Sequence, residues 1–170
     1  YSCSKACADM IARAYFIDYT LPVTITRCSN IYGPADPNLS RIIPGTIVRI
    51  LSGEPPVIFE ESQYHIREYT YISDVVEAYL LLAERIDETK GKAYNVGAGE
   101  GNILSTRELV EKIASMMGSN VRIKVTPRRF PVREIKTQYL LSEKIRKLGW
   151  SPKVTIEEGL WRTIKWYASE

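Results

Sequence analysis

Two side chains at the head of the sequence carry its most pointed chemistry: Tyr1 and Lys5, in the run Tyr1-Ser2-Cys3-Ser4-Lys5. On a helix, residues four apart share a face about one turn apart, so an ammonium at the second position can sit beneath a phenol at the first. A free tyrosine titrates near pH 10 or so and is protonated at neutrality, whereas a cation within roughly 4 to 6 Å favours the phenolate. Such a phenol can remove a proton from a sugar or alcohol hydroxyl as hydride leaves the same carbon. Taken alone, Y-x-x-x-K also fits a solvated lysine beside a half-buried tyrosine, so the surrounding elements must decide.

Those elements alternate. From Ser4 to Tyr19, Ala8, Ile11, Ala12, Tyr15 and Phe16 recur at helical spacing, and Leu21-Pro22 ends the run. Val23 to Thr26 reads as a short strand, broken by Gly33-Pro34 and Pro37 into a long loop. Ser40 is placed to cap a helix through Leu51, and Pro56 to Phe59 and Ile66 to Ile72 read as strands. Ser73 or Asp74 then caps a helix from Val75 to Ile86. Ala93 to Val96 is a strand that stops at Gly97-Ala98-Gly99. Ser105 and Glu108 form a capping box for a helix to Met117, closed by Gly118. A strand from Val121 to Val125, an arginine-rich loop with Arg128, Arg129 and Arg133, a short helix from Ser142, and a last helix opened by Thr155 complete the chain. In that last helix Leu160, Ile164 and Tyr167 make an apolar stripe flanked by Trp161. The pattern is α/β, with too few strands for a complete doubly wound sheet. It reads as the second half of a larger domain plus a small α/β lobe beginning near Gly33.

Composition narrows the class. With 170 residues, 45% hydrophobic and 25% charged, the chain is large enough for one ordinary core. Its 23 basic and 20 acidic residues are interspersed, so the net charge of +3 gives no reason to propose a nucleic-acid partner and suits a small anionic ligand equally well. No apolar run approaches the roughly 18 to 20 residues of a membrane span. Cys3, Cys7 and Cys28 are odd in number and lack a C-x-x-C pair, which points to reduced thiols in the cytoplasm and to no zinc or other metal site.

Several stretches occur in an order far more specific than Y-x-x-x-K. They are Tyr1 to Asp9, Leu21 to Pro34 with Asn30-Ile31-Tyr32-Gly33-Pro34, Arg41-Ile42-Ile43-Pro44, Arg67 to Asp74, Tyr94 to Gly97, and Leu148-Gly149-Trp150 with Pro152. Together they resemble the extended short-chain dehydrogenase/reductase family, in particular its NAD-dependent sugar-nucleotide epimerases and dehydratases, over essentially the whole chain. Within that family the likeness narrows to nucleotide-sugar 4,6-dehydratases. Ser40 to Thr46 and Glu134 to Ser142 resemble the CDP-glucose 4,6-dehydratase branch.

The resemblance implies a fold and a set of roles. Residues 1–33 would end a Rossmann NAD-binding domain. Residues 34–170 would be mainly a nucleotide-sugar-binding lobe, with 66–97 returning to the Rossmann part. No G-x-x-G-x-x-G turn occurs, and Gly97-Ala98-Gly99-Glu100-Gly101 follows the wrong strand for one. The sequence is therefore expected to be part of a protein roughly twice as long, and by itself inactive.

By similarity, Tyr1 is the general base, and Lys5 favours its phenolate and bonds the nicotinamide ribose. Cys28 and Ser29 pass the nicotinamide, while Asn30, Arg41, Arg67 and Asn95 meet the nucleotide sugar. Asn30 fits a loop-capping amide as well, and Arg129 and Arg133 are substrate candidates that fit solvated surface charges equally. Glu60-Glu61-Ser62 and Glu68 depart from the family pattern, and His65 receives no role. The implied reaction oxidises carbon 4, loses water across carbons 5 and 6, and leaves a 4-keto-6-deoxy sugar. An epimerase or decarboxylase of the family is an alternative, as is a non-catalytic nucleotide-sugar-binding module. A homodimer through the Tyr1 helix, with Ala8, Ile11 and Tyr15 facing the partner, is implied as well.

Overall fold

The computed structural model describes residues 1–128 and 134–169. It begins with a helix α1 (Ser2–Tyr19), followed by strands β1 (Ile25–Cys28) and β2 (Asn30–Tyr32). Then come α2 (Ile42–Leu51), β3 (Val57–Phe59), a tight turn at Glu60–Ser62, and β4 (Ile66–Tyr71), which runs directly into α3 (Ile72–Glu84). A one-turn helix α4 (Ile86–Thr89), β5 (Ala93–Val96), β6 (Ile103–Ser105), α5 (Thr106–Met116), β7 (Lys124–Thr126), β8 (Thr137–Gln138), α6 (Glu143–Arg146) and α7 (Ile156–Ser169) follow.

Pairing is mostly parallel, as β-strands separated by helical crossovers require. β1 pairs β5, β2 pairs β4, β3 pairs β7 and β4 pairs β8, all parallel, while β6 lies antiparallel on β4. β4 is thus the central strand, and its last four residues, Glu68 to Tyr71, are all buried.

Two apolar cores flank these strands. α2, α5 and α7 close over Tyr32, Tyr69 and Tyr71, with Ile47, Leu109, Ile113 and Leu160 fully buried. On the other side α3 packs through Val75, Ala78 and Leu82 against Tyr94 and Val96 of β5 and against Ile145, Leu148 and Trp150. Leu160 of the expected stripe is buried and Trp161 is exposed.

The capping box is present: the Ser105 hydroxyl accepts from the Glu108 N–H at 3.2 Å, and the Glu108 carboxylate accepts from the Ser105 N–H at 2.7 Å. Gly118, at φ +61°, follows α5 in the left-handed region where a side chain is strained.

Several expected boundaries move, among them the strand read over Val23 to Thr26, which forms at Ile25–Cys28. Ser40 does not cap α2: its hydroxyl donates to Asn38 Oδ1 at 2.6 Å, and Arg41 is the residue flanking the helix. α3 starts at Ile72, ahead of both expected caps. Asp74 is turned inward, where its Oδ2 accepts from the Val154 N–H at 3.1 Å and its carbonyl from the Trp150 indole at 2.9 Å. That carboxylate ties α3 to the segment before α7 instead of capping its own helix. The strand expected over Val121 to Val125 forms at Lys124–Thr126, where β3 is available to pair.

Candidate functional site

A cleft of about 1330 Å³ opens along the face formed by α1, the β1 to β2 junction, the loop before α2 and the start of β4. Tyr1, Lys5, Cys28, Ser29, Asn30, Arg41 and Arg67 all line it. Asn95 does not: it sits on β5, and its amide donates to the Leu141 carbonyl at 3.2 Å. Arg129 and Arg133 lie outside the described residues.

The base candidate sits where helix geometry puts it. The Lys5 N–H donates to the Tyr1 carbonyl at 3.1 Å, closing the first turn, and the Lys5 ammonium lies 5.8 Å from the centre of the Tyr1 ring. Tyr1 is 94% exposed, Lys5 makes no ion pair among the described residues, and both line the cleft.

At the β1 to β2 junction the chain changes partner. Cys28 is in register with Val96 of β5, the Ser29 N–H donates to the Val96 carbonyl at 3.0 Å, and Asn30 is in register with Tyr69 of β4. Ser29 shares a 2.6 Å hydrogen bond with Thr70, which in turn accepts from the Ala98 N–H. Asn30 donates its amide to the Glu68 carbonyl at 3.0 Å, the structural use that asparagine in a strand junction favours, while its side chain remains at the cleft wall. Burial pushes the Cys28 thiol up despite the Tyr79 hydroxyl 3.8 Å away, which favours the neutral thiol.

The far wall is cationic but already paired. Arg41 bonds Asp36 at 2.9 Å with 61% of its side chain exposed. Arg67 donates to the Ile66 carbonyl at 2.8 Å and lies 3.9 Å from Glu134. Glu134 gathers three basic groups: Arg128 at 2.6 Å, His65 at 3.2 Å, and Arg67. Burial works against its charge, but the bonds from Arg128 and His65 outweigh it and hold the carboxyl below its ordinary value. Arg128 also lies over the Phe59 ring, 4.6 Å from its centre. Tyr69 at the base of the cleft is pushed up to about 12, chiefly by burial, so it stays a neutral phenol.

Sequence reading gave no role to His65, Arg128 or Glu134. The available signal was Glu134 itself, the lone acid beside an arginine-rich loop. Glu68, noted only as a departure, is fully buried and accepts from the Gly99 and Leu140 N–H groups at 2.6 and 2.9 Å. It fastens β4 to the turn after β5 and to the segment after β8.

The model of the NAD dependent epimerase/dehydratase family matches residues 1–97, the stretch that holds Tyr1, Lys5 and the strand junction. The chain belongs to that family.

The likeness continues past the matched residues. The dTDP-D-glucose 4,6-dehydratase of Homo sapiens is 32% identical over 178 residues, covering 98% of this chain and 47% of the human protein. The crystal structure of dTDP-glucose 4,6-dehydratase from Bacillus anthracis, in complex with NAD, superposes with a TM-score of 0.89 at 31% identity, over 100% of this chain and 52% of that one. A UDP-glucose 4-epimerase from Thermotoga maritima, with UDP-glucose, gives 0.88 at 28% identity, over 99% of this chain and 53% of that one. The chain thus spans about half the length of these relatives, and its α/β architecture with parallel strand pairs is that of the Rossmann-type dehydratases and epimerases.

The family is NAD-dependent. The Lys5 ammonium is free of ion pairs among the described residues and lines the same cleft as the neutral Cys28 and the small Ser29. No helix of the described residues is long and apolar enough to cross a membrane, and those residues hold no cluster of three metal-binding side chains.

Proposed function

We propose that the protein is a NAD-dependent nucleotide-sugar 4,6-dehydratase that converts an NDP-hexose to its 4-keto-6-deoxy form, with CDP-glucose as its substrate. The observation that carries this reading is the shared cleft, lined by a tyrosine and lysine one helical turn apart and by Arg41, Arg67 and Arg128. Tyr1 accepts the proton of the sugar's 4-hydroxyl and holds it, and the Lys5 ammonium favours the phenolate that takes this proton and bonds the cofactor's ribose. NAD, when bound, supplies the hydride acceptor and donor that an alcohol-to-ketone step needs. Arg41 and Arg67 turn their guanidinium forks from Asp36 and Glu134 to the substrate diphosphate, for which planar paired donors are suited. Within this reading residues 1–33 and 66–97 serve the cofactor side and the remainder mainly the nucleotide sugar. A second copy covers the exposed Ile11 and Tyr15 face of α1 in a homodimer.

The likeness to the dTDP-glucose dehydratases supports the reaction, and the Glu134 to Ser142 stretch supports cytidine as the base. A 4-epimerase is the second reading, favoured by the superposition on the Thermotoga enzyme. The product of the complete open reading frame, incubated with NAD and in turn with CDP-, dTDP- and UDP-glucose, separates these readings. A 4-keto product, detected by its absorbance in base and formed fastest from CDP-glucose, is expected. A 4-epimerised sugar from any of the three overturns the dehydratase in favour of the epimerase, and a preference for another nucleotide overturns cytidine alone.

A further inference from the structure

The chemistry proposed above depends on where α1 aims Tyr1 and Lys5, and among the described residues few contacts hold α1 to the rest of the chain. None of its 18 residues is buried, and only Asp9, Ala12 and Phe16 are partly shielded. These recur at three and four residue steps, so they mark the face that rests on the molecule. Phe16, near the C-terminal end of α1, lies against Gly91, where a Cβ would collide with its ring. Toward the N-terminal end, the corresponding fastening is polar. Arg27 donates through Nε to Asp9 Oδ2 at 2.7 Å and through Nη2 to Asp9 Oδ1 at 3.1 Å. Among the described residues this fork is the only side-chain hydrogen bonding between α1 and another element. Arg27 hydrogen bonding also holds the Asp9 carboxyl below its ordinary value.

We propose that Asp9 and Arg27 are a positioning pair, setting the rotation of α1 about its axis and so the aim of Tyr1 and Lys5 into the cleft; the proposal rests on the reading of Tyr1 as the base. Tyr1, Lys5 and Asp9 follow at steps of four, so they fall within an arc of about 80° on one face. All three line the cleft together with Arg27. A two-point fork resists rotation where a single contact would pivot, because both donors and both acceptors must stay coplanar. Arg27 is in register with Asn95 of β5, so the fork refers α1 to paired strands and not to a loop. A 20° rotation of the helix would move a group at its outer radius of about 5 to 6 Å by roughly 2 Å. Misplacement of about 1 Å can cost a hundredfold in rate. The pair's contribution to stability is small by contrast, since Arg27 is 53% exposed and surface ion pairs contribute little.

The test uses the complete protein with NAD and its nucleotide sugar, comparing Asp9→Asn, Arg27→Gln, the reversed pair Asp9→Arg with Arg27→Asp, and Tyr1→Phe. The two single variants are expected to lose about tenfold to a hundredfold in kcat with KM within about twofold. Their melting temperature should stay within about 2 °C of the parent. Because Tyr1 and Lys5 ride on the same helix and turn together, the acid limb of kcat against pH should stay in place, and the reversed pair should recover most of the loss. A loss that tracks a falling melting temperature assigns the pair to stability and overturns the proposal, and an acid limb that moves in opposite directions in the two single variants assigns it to electrostatic tuning and overturns it too. Single variants within about twofold of the parent, beside an inactive Tyr1→Phe, also overturn it and leave the base reading intact.

Should Tyr1→Phe keep its turnover, the base reading fails, and a second readout still judges the pair. NAD affinity reports the aim of Lys5 without turnover. Weaker NAD binding in both single variants, recovered in the reversed pair, supports positioning, and affinity within about twofold of the parent refutes it.

Discussion

Replacing Gly97 by alanine probes the buried carboxylate that fastens the central strand. A Cβ built on Gly97 would lie 2.5 and 2.6 Å from the two oxygens of Glu68, well inside van der Waals contact. Glu68 has no room to retreat: it is fully buried, and its oxygens hold the Gly99 and Leu140 N–H groups at 2.6 and 2.9 Å. Relief of the collision therefore breaks at least one hydrogen bond to a charged acceptor. Overpacking of this kind costs about 1 to 3 kcal/mol and such a bond about 1.5 to 3, so Gly97→Ala should destabilise by about 3 to 5 kcal/mol. Urea unfolding followed by circular dichroism measures it, with an unchanged slope confirming that only stability moved. The double variant with Glu68→Ala removes the obstacle. In that background the alanine should cost less than about 1 kcal/mol, a coupling of at least about 2 kcal/mol. A loss below about 1 kcal/mol for Gly97→Ala alone, or single effects that add within about 0.5 kcal/mol, would refute the reasoning.

Two further perturbations follow from named contacts. Glu134 titrates below its ordinary value of 4.5 in the folded protein, so its contribution to stability is full above that value and fades as pH falls through the folded one. The stability difference between the parent and Glu134→Gln should accordingly be largest near neutrality and close on acidification below about pH 4, as read by urea midpoints across pH. Ser105→Ala removes the cap of α5 and should cost about 1 kcal/mol in the same assay, with no change in substrate KM.

What the sequence made legible is what local chemistry determines. The capping box at Ser105 and Glu108, the helix carrying Tyr1 and Lys5, and the strand ending at Val96 were all readable because propensity, spacing and termini agree there. The errors arise where a distant partner decides. Asp74 carries cap chemistry, yet Val154 and Trp150, roughly eighty positions away, draw its carboxylate and carbonyl inward. β6 has only three residues and merges into the capping box, and β8 has two, so neither shows a period; both exist because β4 offers an edge. The same holds for the cleft. The individual cations Arg41 and Arg67 were visible as residue types, but their pairing with Asp36 and Glu134, and the recruitment of His65 and Arg128, depend on segments that only the fold brings together.

The central claim is that Tyr1 initiates a 4,6-dehydration, and the most direct measurement follows one deuterium. The complete protein would be incubated with NAD and CDP-glucose deuterated at carbon 4, beside a Tyr1→Phe variant, and the product examined by mass spectrometry and NMR. The account predicts a 4-keto-6-deoxy sugar carrying the deuterium at carbon 6, and no product from Tyr1→Phe. Deuterium retained at carbon 4 of an epimerised sugar, or equal turnover by the phenylalanine variant, would contradict it.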